Sequence, residues 1–442
     1  MRTRVASIVV IVASWLAPPA RADWPQFRGP FGNGQANENA SDQSLGLPTT
    51  WSESQNVRWK TPIHDRGWSS PVILGGQIWM TTATEDGHDF YAICVDEVTG
   101  KILYDLKLFH ADSPEPLGNN TNSYATPTAD IEPGRVYLHF GSYGTACLDT
   151  ATGKVLWQRD DLPCRHYRGP SSSPVLFENL LILTFDGVDQ QYVTALDKAT
   201  GKTVWRTDRK VAWNDQDVTG KGEAEAKRLL DGDHRKAHST PLVIKTPTGQ
   251  WQLVSGGAKA AFGYDPRTGN ELWRIEFDDF SVAPRPIYHD GIVYLVTGNT
   301  HPELWAIRPD ATGNLTETPN ILWRLKSRVA HTASPMFVDG LIYMASDEGI
   351  INCIDAANGN TAWQKRVGGS FAASPIYADG LLYFCDRDGQ STVIKPGRVF
   401  EQVASNSLDD GLMASPAIDG RALYLRTKTH LYRIENPEPA AR

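Results

Sequence analysis

Short apolar runs alternate with turn-forming residues along most of this chain, and the segment 174–206 shows the alternation most clearly. Apolar runs lie at 174–177, 180–185, 192–196 and 203–206, and glycines and polar residues fill the gaps between them. Runs this short, with such boundaries, are typical of β-strands joined by tight turns. The segment therefore predicts one four-stranded antiparallel sheet.

This series of strands recurs along the chain, and each copy opens on a proline that follows small residues. The eight opening prolines are Pro71, Pro127, Pro174, Pro241, Pro286, Pro335, Pro375 and Pro416. A recurring unit of four short strands, with the spacing of these prolines, is typical of a β-propeller blade. We therefore expect an all-β fold in which residues 56–435 form one eight-bladed β-propeller.

The turn between the first two strands of a copy is often Asp-Gly. The pairs are Asp290-Gly291, Asp339-Gly340, Asp379-Gly380 and Asp419-Gly420. Such a two-residue turn needs positive φ at both positions, which Asp tolerates and Gly adopts freely. These pairs predict tight hairpins.

A second recurring turn has an Asp, a Gly four residues later and a Trp four residues after the Gly. The four copies are Asp149, Gly153 and Trp157; Asp197, Gly201 and Trp205; Asp265, Gly269 and Trp273; Asp355, Gly359 and Trp363. We expect the Asp to cap N–H groups of the turn, the Gly to adopt a left-handed conformation and the Trp to pack against the next blade. The fifth copy, from Arg308 through Gly313 to Trp323, departs from the spacing.

The last copy ends without a fourth strand. Residues 56–60, ahead of the first copy, resemble an isolated fourth strand and contain Trp59 at the expected place. We expect this N-terminal strand to complete the last blade, because closing the ring removes two exposed sheet edges.

The first 22 residues have the features of a signal peptide. Arg2 and Arg4 precede a short apolar stretch, and Ala20-Arg21-Ala22 forms an A-x-A site with cleavage expected after Ala22. An uncleaved anchor is the alternative. We expect a periplasmic or secreted protein with an N-terminal extension at 23–55, no transmembrane segment and a short tail at 436–442.

The net charge of −8 argues against nucleic acid and anionic membrane surfaces as main partners. The five cysteines contain no C-x-x-C, so zinc ribbons and haem attachment lack their signal. Cys94, Cys147 and Cys353 each precede a turn Asp by two residues, where a small buried residue is expected, and Cys385 is interpreted similarly. Cys164 lies beside Arg165 and His166, so it is either a reactive thiol or an idle or disulfide-bonded one.

Aromatic and histidine side chains stand just before several repeat prolines, where the chain enters the innermost strands. They are Trp68, Tyr124, His238, His331 and Phe371. At the mouth of a central channel they could bind a flat ligand, a sugar or a peptide, or they could simply fill the channel.

Two long insertions, Asp105–Ser123 and Thr207–Ala237, are expected on the same face, and Glu223–Leu230 predicts a short helix. His110, His234, His238, Asp231 and Asp233 could hold a metal, but their spacing matches no ligand pattern. We favour a solvated charged loop and predict no metal site.

Residues 195–205, Ala-Leu-Asp-Lys-Ala-Thr-Gly-Lys-Thr-Val-Trp, resemble the tryptophan-docking motif of PQQ-repeat propellers. Two groups share it: the quinoprotein alcohol and glucose dehydrogenases, and a non-catalytic group that includes the outer-membrane assembly lipoproteins. The opening at 23–30 also resembles PQQ-like propellers common in planctomycetes. The resemblance implies an eight-bladed scaffold and leaves PQQ possible.

The chain departs from both groups. It lacks the adjacent cysteines that many quinoprotein dehydrogenases use, and no Cys follows the leader as a lipid acceptor. We therefore predict an exported, non-catalytic and monomeric propeller without a cofactor, which binds a protein, peptide or envelope ligand on its loop-rich face. A PQQ-dependent oxidoreductase and a carbohydrate-binding accessory protein are the alternatives.

Overall fold

The computed structural model describes residues 23–37, 44–118 and 121–437. Its strands form eight sheets of at least four strands each. The sheets are arranged as the blades of a propeller, which confirms the predicted fold class. Within the described ranges, no helix has the length and apolar character needed to cross a membrane. The proposed signal peptide and the end of the tail lie outside the described residues.

Each blade runs from its innermost strand to its outermost strand. The first strand of the chain and those of blades 1 to 4 are β1 (Val57–Pro62), β2 (Val72–Leu74), β3 (Gln77–Ala83), β4 (Asp89–Asp96), β5 (Ile102–His110), β6 (Asp130–Glu132), β7 (Arg135–His139), β8 (Thr145–Asp149), β9 (Val155–Arg159), β10 (Val175–Phe177), β11 (Leu180–Asp186), β12 (Gln191–Asp197), β13 (Thr203–Asp208), β14 (Leu242–Lys245), β15 (Trp251–Gly256), β16 (Ala260–Tyr264) and β17 (Glu271–Glu276). Helix α1 (Glu223–Leu230), as predicted, and a 3-10 helix (Asp233–Arg235) lie between blades 3 and 4.

The strands of blades 5 to 8 follow the same order, with two exceptions. They are β18 (Ile287–His289), β19 (Ile292–Val296), β20 (Leu304–Ile307), β21 (Gly313–Asn314), β22 (Ile321–Leu325), β23 (Met336–Val338), β24 (Leu341–Ala345), β25 (Ile350–Asp355), β26 (Thr361–Arg366), β27 (Ile376–Ala378), β28 (Leu381–Cys385), β29 (Gln390–Lys395), β30 (Glu401–Ser407), β31 (Ala417–Asp419), β32 (Ala422–Arg426) and β33 (His430–Glu435). The exceptions are that β21 joins blade 4 and that the fourth strand of blade 8 is β1.

Blade 8 is completed by the N-terminal strand. Strand β1 pairs antiparallel with β33, with Trp59 opposite Arg433 and Pro62 opposite His430. The sheet order is β1-β33-β32-β31. The predicted closure of the ring is therefore confirmed, and the outermost strand of the last blade comes from the start of the propeller.

The Asp-Gly hairpins differ in one blade. Asp290, Asp339 and Asp379 have positive φ, as such turns require. In blade 8, Asp419 instead pairs with Ala422, so the turn consists of Gly420 and Arg421. The prediction for Asp419-Gly420 was therefore wrong by one residue, because the glycine supplies the positive φ at the first turn position and the Asp stays in the strand.

The Asp-Gly-Trp turns join neighbouring blades. Trp157 Nε1 of blade 2 donates to the Lys198 carbonyl in the corresponding turn of blade 3, at 3.0 Å. The Trp157 ring lies so close to Gly201 of that turn that a Cβ there would be 2.7 Å from it. The Asp197 carboxylate accepts the Thr200 N–H at 2.9 Å and closes the turn.

Most other copies repeat this arrangement. The Trp Nε1 atoms donate to the next blade in four further places: Trp59 to Glu97 O, Trp205 to Pro266 O, Trp323 to Ala356 O and Trp363 to Gly397 O. The turn carboxylates of Asp149, Asp265 and Asp355 each accept a backbone N–H two or three residues further on. The glycines at 153, 269 and 359 all have positive φ.

Blade 4 departs from the pattern because an extra strand covers it. Trp273 is fully buried, and its Nε1 donates to Gln252 Oε1 in the same blade at 2.8 Å. Strand β21, from the connection between β20 and β22, pairs parallel with β17 and places Gly313 opposite Trp273. The degenerate fifth copy is therefore the segment that supplies a fifth strand to blade 4.

All five cysteines are buried free thiols. Cys94, Cys147 and Cys353 have no exposed surface, as expected for small residues on inner strands. Burial raises the pKa of the Cys164 thiol well above its usual range. The reactive and disulfide-bonded alternatives for Cys164 are therefore wrong, because burial disfavours the thiolate and the structure pairs it with no other cysteine.

Candidate functional site

A cavity of about 600 Å³ occupies the central channel. Residues from both long insertions line it, among them Asn122 and Arg228, and Phe27 from the N-terminal extension lines it as well. Its size lies in the range of small-molecule pockets, roughly 300 to 1,000 Å³.

A ring of hydroxyl groups forms the inner wall of this cavity. At seven of the eight blade junctions, a backbone N–H just ahead of the innermost strand donates to a Ser or Thr hydroxyl of the next blade at 2.9 or 3.0 Å. The accepting residues, called the hydroxyl ring below, are Ser70, Thr128, Ser173, Thr240, Ser334, Ser374 and Ser415. The ring ties the blades together at their inner ends.

The hydroxyl ring corrects the repeat register of blade 2. Seven innermost strands begin directly after their repeat proline, but β6 begins at Asp130, three residues after Pro127. Thr128 therefore holds the ring position, and Ala129 holds the place of the proline. The proline-based prediction placed this copy two residues too early, because the feature that blade 2 shares with its neighbours is the hydroxyl and not the proline.

A second ring of side chains stands two residues ahead of the hydroxyl ring, and all of its members line the cavity. Its residues are Trp68, Thr126, Ser171, His238, Ala283, Thr332, Ala372 and Met413. The chain thus presents one side chain per blade at this level, and most of them are small. Trp68, His238 and Met413 are the large exceptions.

Three of the five side chains predicted at the channel mouth line the cavity: Trp68, His238 and His331. Tyr124 and Phe371 do not. Tyr124 packs in the core between blades 1 and 2 and its hydroxyl donates to the Glu115 carbonyl at 2.6 Å. Phe371 is buried against Phe384. The register shift in blade 2 explains Tyr124. Phe371 holds the same repeat position as His331, one residue ahead of the second ring, and yet packs into the core.

The N-terminal extension forms the floor of the cavity. Trp24 exchanges two backbone hydrogen bonds with Ile73 in β2, and the Pro25 carbonyl accepts the Ile131 N–H in β6. Tyr377 in β27 bonds to Gly34 and Ala36. Residues 24–36 therefore bond to the innermost strands of blades 1, 2 and 7.

Arg285 ties this floor to the ring at the junction between blades 4 and 5. It stands at the position where the other blades carry a hydroxyl. Its guanidinium donates to the carbonyls of Phe27 at 2.6 Å and Pro241 at 3.1 Å. Burial lowers the pKa of Arg285 to about 10, so the group keeps its charge at neutral pH.

A cationic cluster stands at the rim of the cavity, on the side of the long insertion. Asp233 is fully buried and pairs with Lys236 and with Arg228 Nε at 2.8 Å, while Arg168 Nη2 lies 4.0 Å away. Three cations therefore surround one carboxylate. The favoured solvated loop was wrong for Asp233, because the insertion folds back over the channel and buries this carboxylate among the cations.

The other residues considered as metal ligands have separate contacts. His234 stacks on Phe280 at 4.1 Å, and Asp233 is bound by Lys236 and Arg228. His110 belongs to β5, where it pairs with Asp89. Burial lowers the pKa of His238 to about 3, so this cavity residue is neutral.

The donor set around the cavity does not fit a quinone held by calcium. Calcium takes six to eight oxygen ligands, with carboxylates prominent among them. The two carboxylates that line the cavity are already paired: Asp233 with Lys236 and Arg228, and Asp347 with Arg387 at 3.3 Å. Across residues 23–37, 44–118 and 121–437, no group of three or more His, Cys, Asp or Glu side chains could hold a metal ion.

Sequence reasoning missed the hydroxyl ring, the floor and the cationic cluster. The ring had a visible signal, since small residues recur ahead of the prolines, but we used them only to recognise the copies. Phe27, Arg168 and Lys236 belong to segments without a repeat, so no internal copy marked them.

A family model described as outer membrane protein assembly factor BamB matches residues 46–173, 189–316 and 315–402, which is more than half of the chain. BamB from Yersinia pestis is 25% identical over 241 residues, which is 54% of this chain and 52% of that protein. The match thus spans about half the length of this curated relative.

Solved structures share the architecture, and two of them serve as comparisons. BamB from Moraxella catarrhalis has a TM-score of 0.57 at 11% identity, covering 86% of this chain and 99% of that one. Quinohemoprotein alcohol dehydrogenase from Comamonas testosteroni has a TM-score of 0.63 at 12% identity, covering 95% and 82%. At such identities the likeness shows the fold alone. The family model and the interblade tryptophan turns together establish that this chain belongs to the PQQ-repeat propeller family of the outer membrane protein assembly factor BamB.

Proposed function

We propose that this protein is an exported, non-catalytic scaffold that binds a protein or peptide of the cell envelope at its channel cavity and the surrounding insertions. The observation that carries the proposal is the cavity itself. It is closed at one end by the N-terminal extension, and both long insertions contribute to its lining. A concave site on a rigid propeller, bordered by long loops, is a typical place for binding.

The family supports a binding role without supplying the partner. The named relative is an assembly factor, and it matches this chain over about half of its own length. Residues 1–22 support export, since they have the features of a signal peptide. The partner, the compartment and the monomeric state are parts of this proposal.

The test is affinity capture from an envelope fraction with the purified mature protein as bait. Trp68→Ala and His331→Ala remove two side chains of the cavity wall, and we expect each to reduce capture of a specific partner at least severalfold. Val399→Ser is the matched control, because Val399 is 80% exposed and lies outside the cavity lining. A partner that binds both cavity variants as well as the wild type would place the site elsewhere.

A carbohydrate-binding role is the second candidate, because Trp68 lies in the cavity wall and indole rings stack on sugar faces. Thermal-shift assays with glycans separate it from the protein-binding role: stabilisation that Trp68→Ala removes would favour the carbohydrate. A PQQ-dependent activity would require dye reduction after addition of PQQ and calcium, and we expect none because the cavity carboxylates are paired with cations.

A further inference from the structure

The hydroxyl ring carries hydrogen-bond donors that the protein does not use. Each ring oxygen accepts a backbone N–H from the preceding blade, so the proton of the same hydroxyl has to be donated elsewhere. Among the described residues, no protein group accepts a hydrogen bond from any of the seven ring hydroxyls. Seven O–H donors therefore remain available at one level of the channel.

These hydroxyls are buried and face a common space. At most 5% of the surface of any ring residue is exposed, and all seven line the cavity. A buried O–H without an acceptor is unfavourable by about 1–3 kcal/mol, so a group that accepts from several of them would be favoured here. Trp68 adds a further donor: it is 8% exposed, and its Nε1 has no hydrogen-bond partner in the described part of the chain.

The charged side chains that line the cavity indicate the charge of a ligand group that would accept hydrogen bonds from the ring hydroxyls. Arg168, Arg228 and Lys236 line the cavity against Asp233 and Asp347. Asp347 also pairs with Arg387. The cavity is therefore positive in a chain whose net charge is −8. Anionic oxygens form stronger hydrogen bonds with O–H and N–H donors than neutral oxygens do.

We propose that the cavity binds its ligand through a carboxylate group, which accepts hydrogen bonds from the hydroxyl ring and is drawn in by the cationic cluster at the rim. This inference rests on the proposed function, since it specifies the chemistry by which the same cavity recognises a ligand. The carboxylate belongs either to a free organic acid or to the acidic end of an extended peptide.

Isothermal titration calorimetry on the full mature protein distinguishes these two sources. The probes are glutarate, a Gly-Ser peptide that ends in Asp-Glu-Asp, and the amidated peptide that ends in Asn-Gln-Asn. We expect binding of at least one acid, no binding of the amidated peptide, and an affinity that falls as salt is added. Equal binding of the acidic and neutral peptides, or no binding of either acid, would overturn the proposal.

Variants locate the acid within the cavity. Thr240→Val removes one ring hydroxyl at nearly constant volume and should weaken binding about tenfold, whereas Thr240→Ser should restore it. Ser239→Ala is the matched control, because the neighbouring Ser239 hydroxyl is buried but donates to the Pro284 carbonyl at 2.9 Å and does not line the cavity.

Arg228→Gln provides a second measurement that does not depend on the ring. Arg228 has a side chain 45% exposed, so this variant should fold normally and still bind the acid severalfold more weakly. Unchanged affinity in both Thr240→Val and Arg228→Gln would refute the inference. If a captured partner still depends on Trp68 while no acid binds, the carboxylate inference fails and the proposed binding function stands.

Discussion

The junction between blades 2 and 3 and the junction between blades 4 and 5 are built differently. At the first, Trp157 donates to the Lys198 carbonyl at the outer end, and the Thr128 N–H donates to the Ser173 hydroxyl at the inner end. At the second, neither contact is made. Trp273 bonds within its own blade, and Arg285 stands where a ring hydroxyl would be.

Other contacts replace the missing ones. Strand β21 covers Trp273 from outside, and Arg285 binds the floor of the cavity through the Phe27 carbonyl. The comparison shows that the repeat consists of two interblade hydrogen bonds, one at each end of a blade. Where both are absent, the chain adds an edge strand and anchors its N-terminal extension.

The largest loss of stability is expected from a substitution at the junction between blades 2 and 3, called the regular junction below. Gly201 has a φ of +72°, and a Cβ there would lie 2.7 Å from the Trp157 ring. Gly201→Ala should therefore lower the free energy of unfolding by about 4 kcal/mol, from backbone strain and overpacking together. Urea denaturation measures the loss.

Gly249→Ala is the control for the strain alone. Gly249 has a φ of +86° and no atom within 4 Å of a Cβ built on it, so the loss should be about 1 kcal/mol. Equal losses in the two variants would show that the contact between Trp157 and Gly201 does not stabilise the junction.

The next largest loss of stability is expected at the junction between blades 4 and 5, called the irregular junction below. Arg285→Ala removes the guanidinium that bonds to Phe27 and Pro241, and should cost about 3 kcal/mol of stability. Amide exchange at residues 24–36 should also become faster. Arg267→Ala, which breaks an exposed pair with Glu178 and a contact of the guanidinium with the Phe177 ring, should cost less than about 1 kcal/mol. Unchanged exchange in the floor would contradict the anchoring role of Arg285.

The regular junction should also be the more sensitive to acid. His139 and His166 both pack on Phe185, and burial lowers their pKa values to about 3 and about 4. The unfolded chain protonates these histidines below pH 6.5 while the folded protein does not, so stability is lost as the pH falls. Each should contribute a loss of about 2 kcal/mol between pH 6.5 and pH 5.

Urea titrations at several pH values test this sign. His166→Gln keeps an acceptor for the Ser142 N–H but cannot titrate, so its stability should fall less steeply with acid than that of the wild type. A steeper fall in the variant would contradict the assignment.

The smallest effect is loss of a single outer hydrogen bond. Trp157→Phe keeps a ring against Gly201 but removes the Nε1 donor, and should cost about 1 kcal/mol by urea denaturation. Blade 7 already lacks this donor, because the strand register places Ala404, opposite Val393, at the position of Trp157. A loss as large as that of Gly201→Ala would show that the hydrogen bond, and not ring packing, holds the blades together.

The pattern of strands and turns in the sequence was sufficient to predict the blades. Four apolar runs separated by turns, repeated eight times, predict the sheets, and the isolated strand around Trp59 predicts the closure that the pairing of β1 with β33 shows. These features depend on contacts between neighbours in the sequence or between identical positions of successive repeats, so their residue pattern recurs and can be recognised.

The cavity depends on contacts that no repeat encodes. Trp68, His238 and His331 could be placed near the channel, but Tyr124 and Phe371 lie in the core. Blade 2 is shifted in register, and Phe371 packs on Phe384 although it shares its repeat position with His331. Phe27, Arg285 and the cluster around Asp233 are brought together across long stretches of chain, and each occurs once. Closure of the ring alone makes these single residues neighbours, and for that reason the binding site had to be seen in three dimensions.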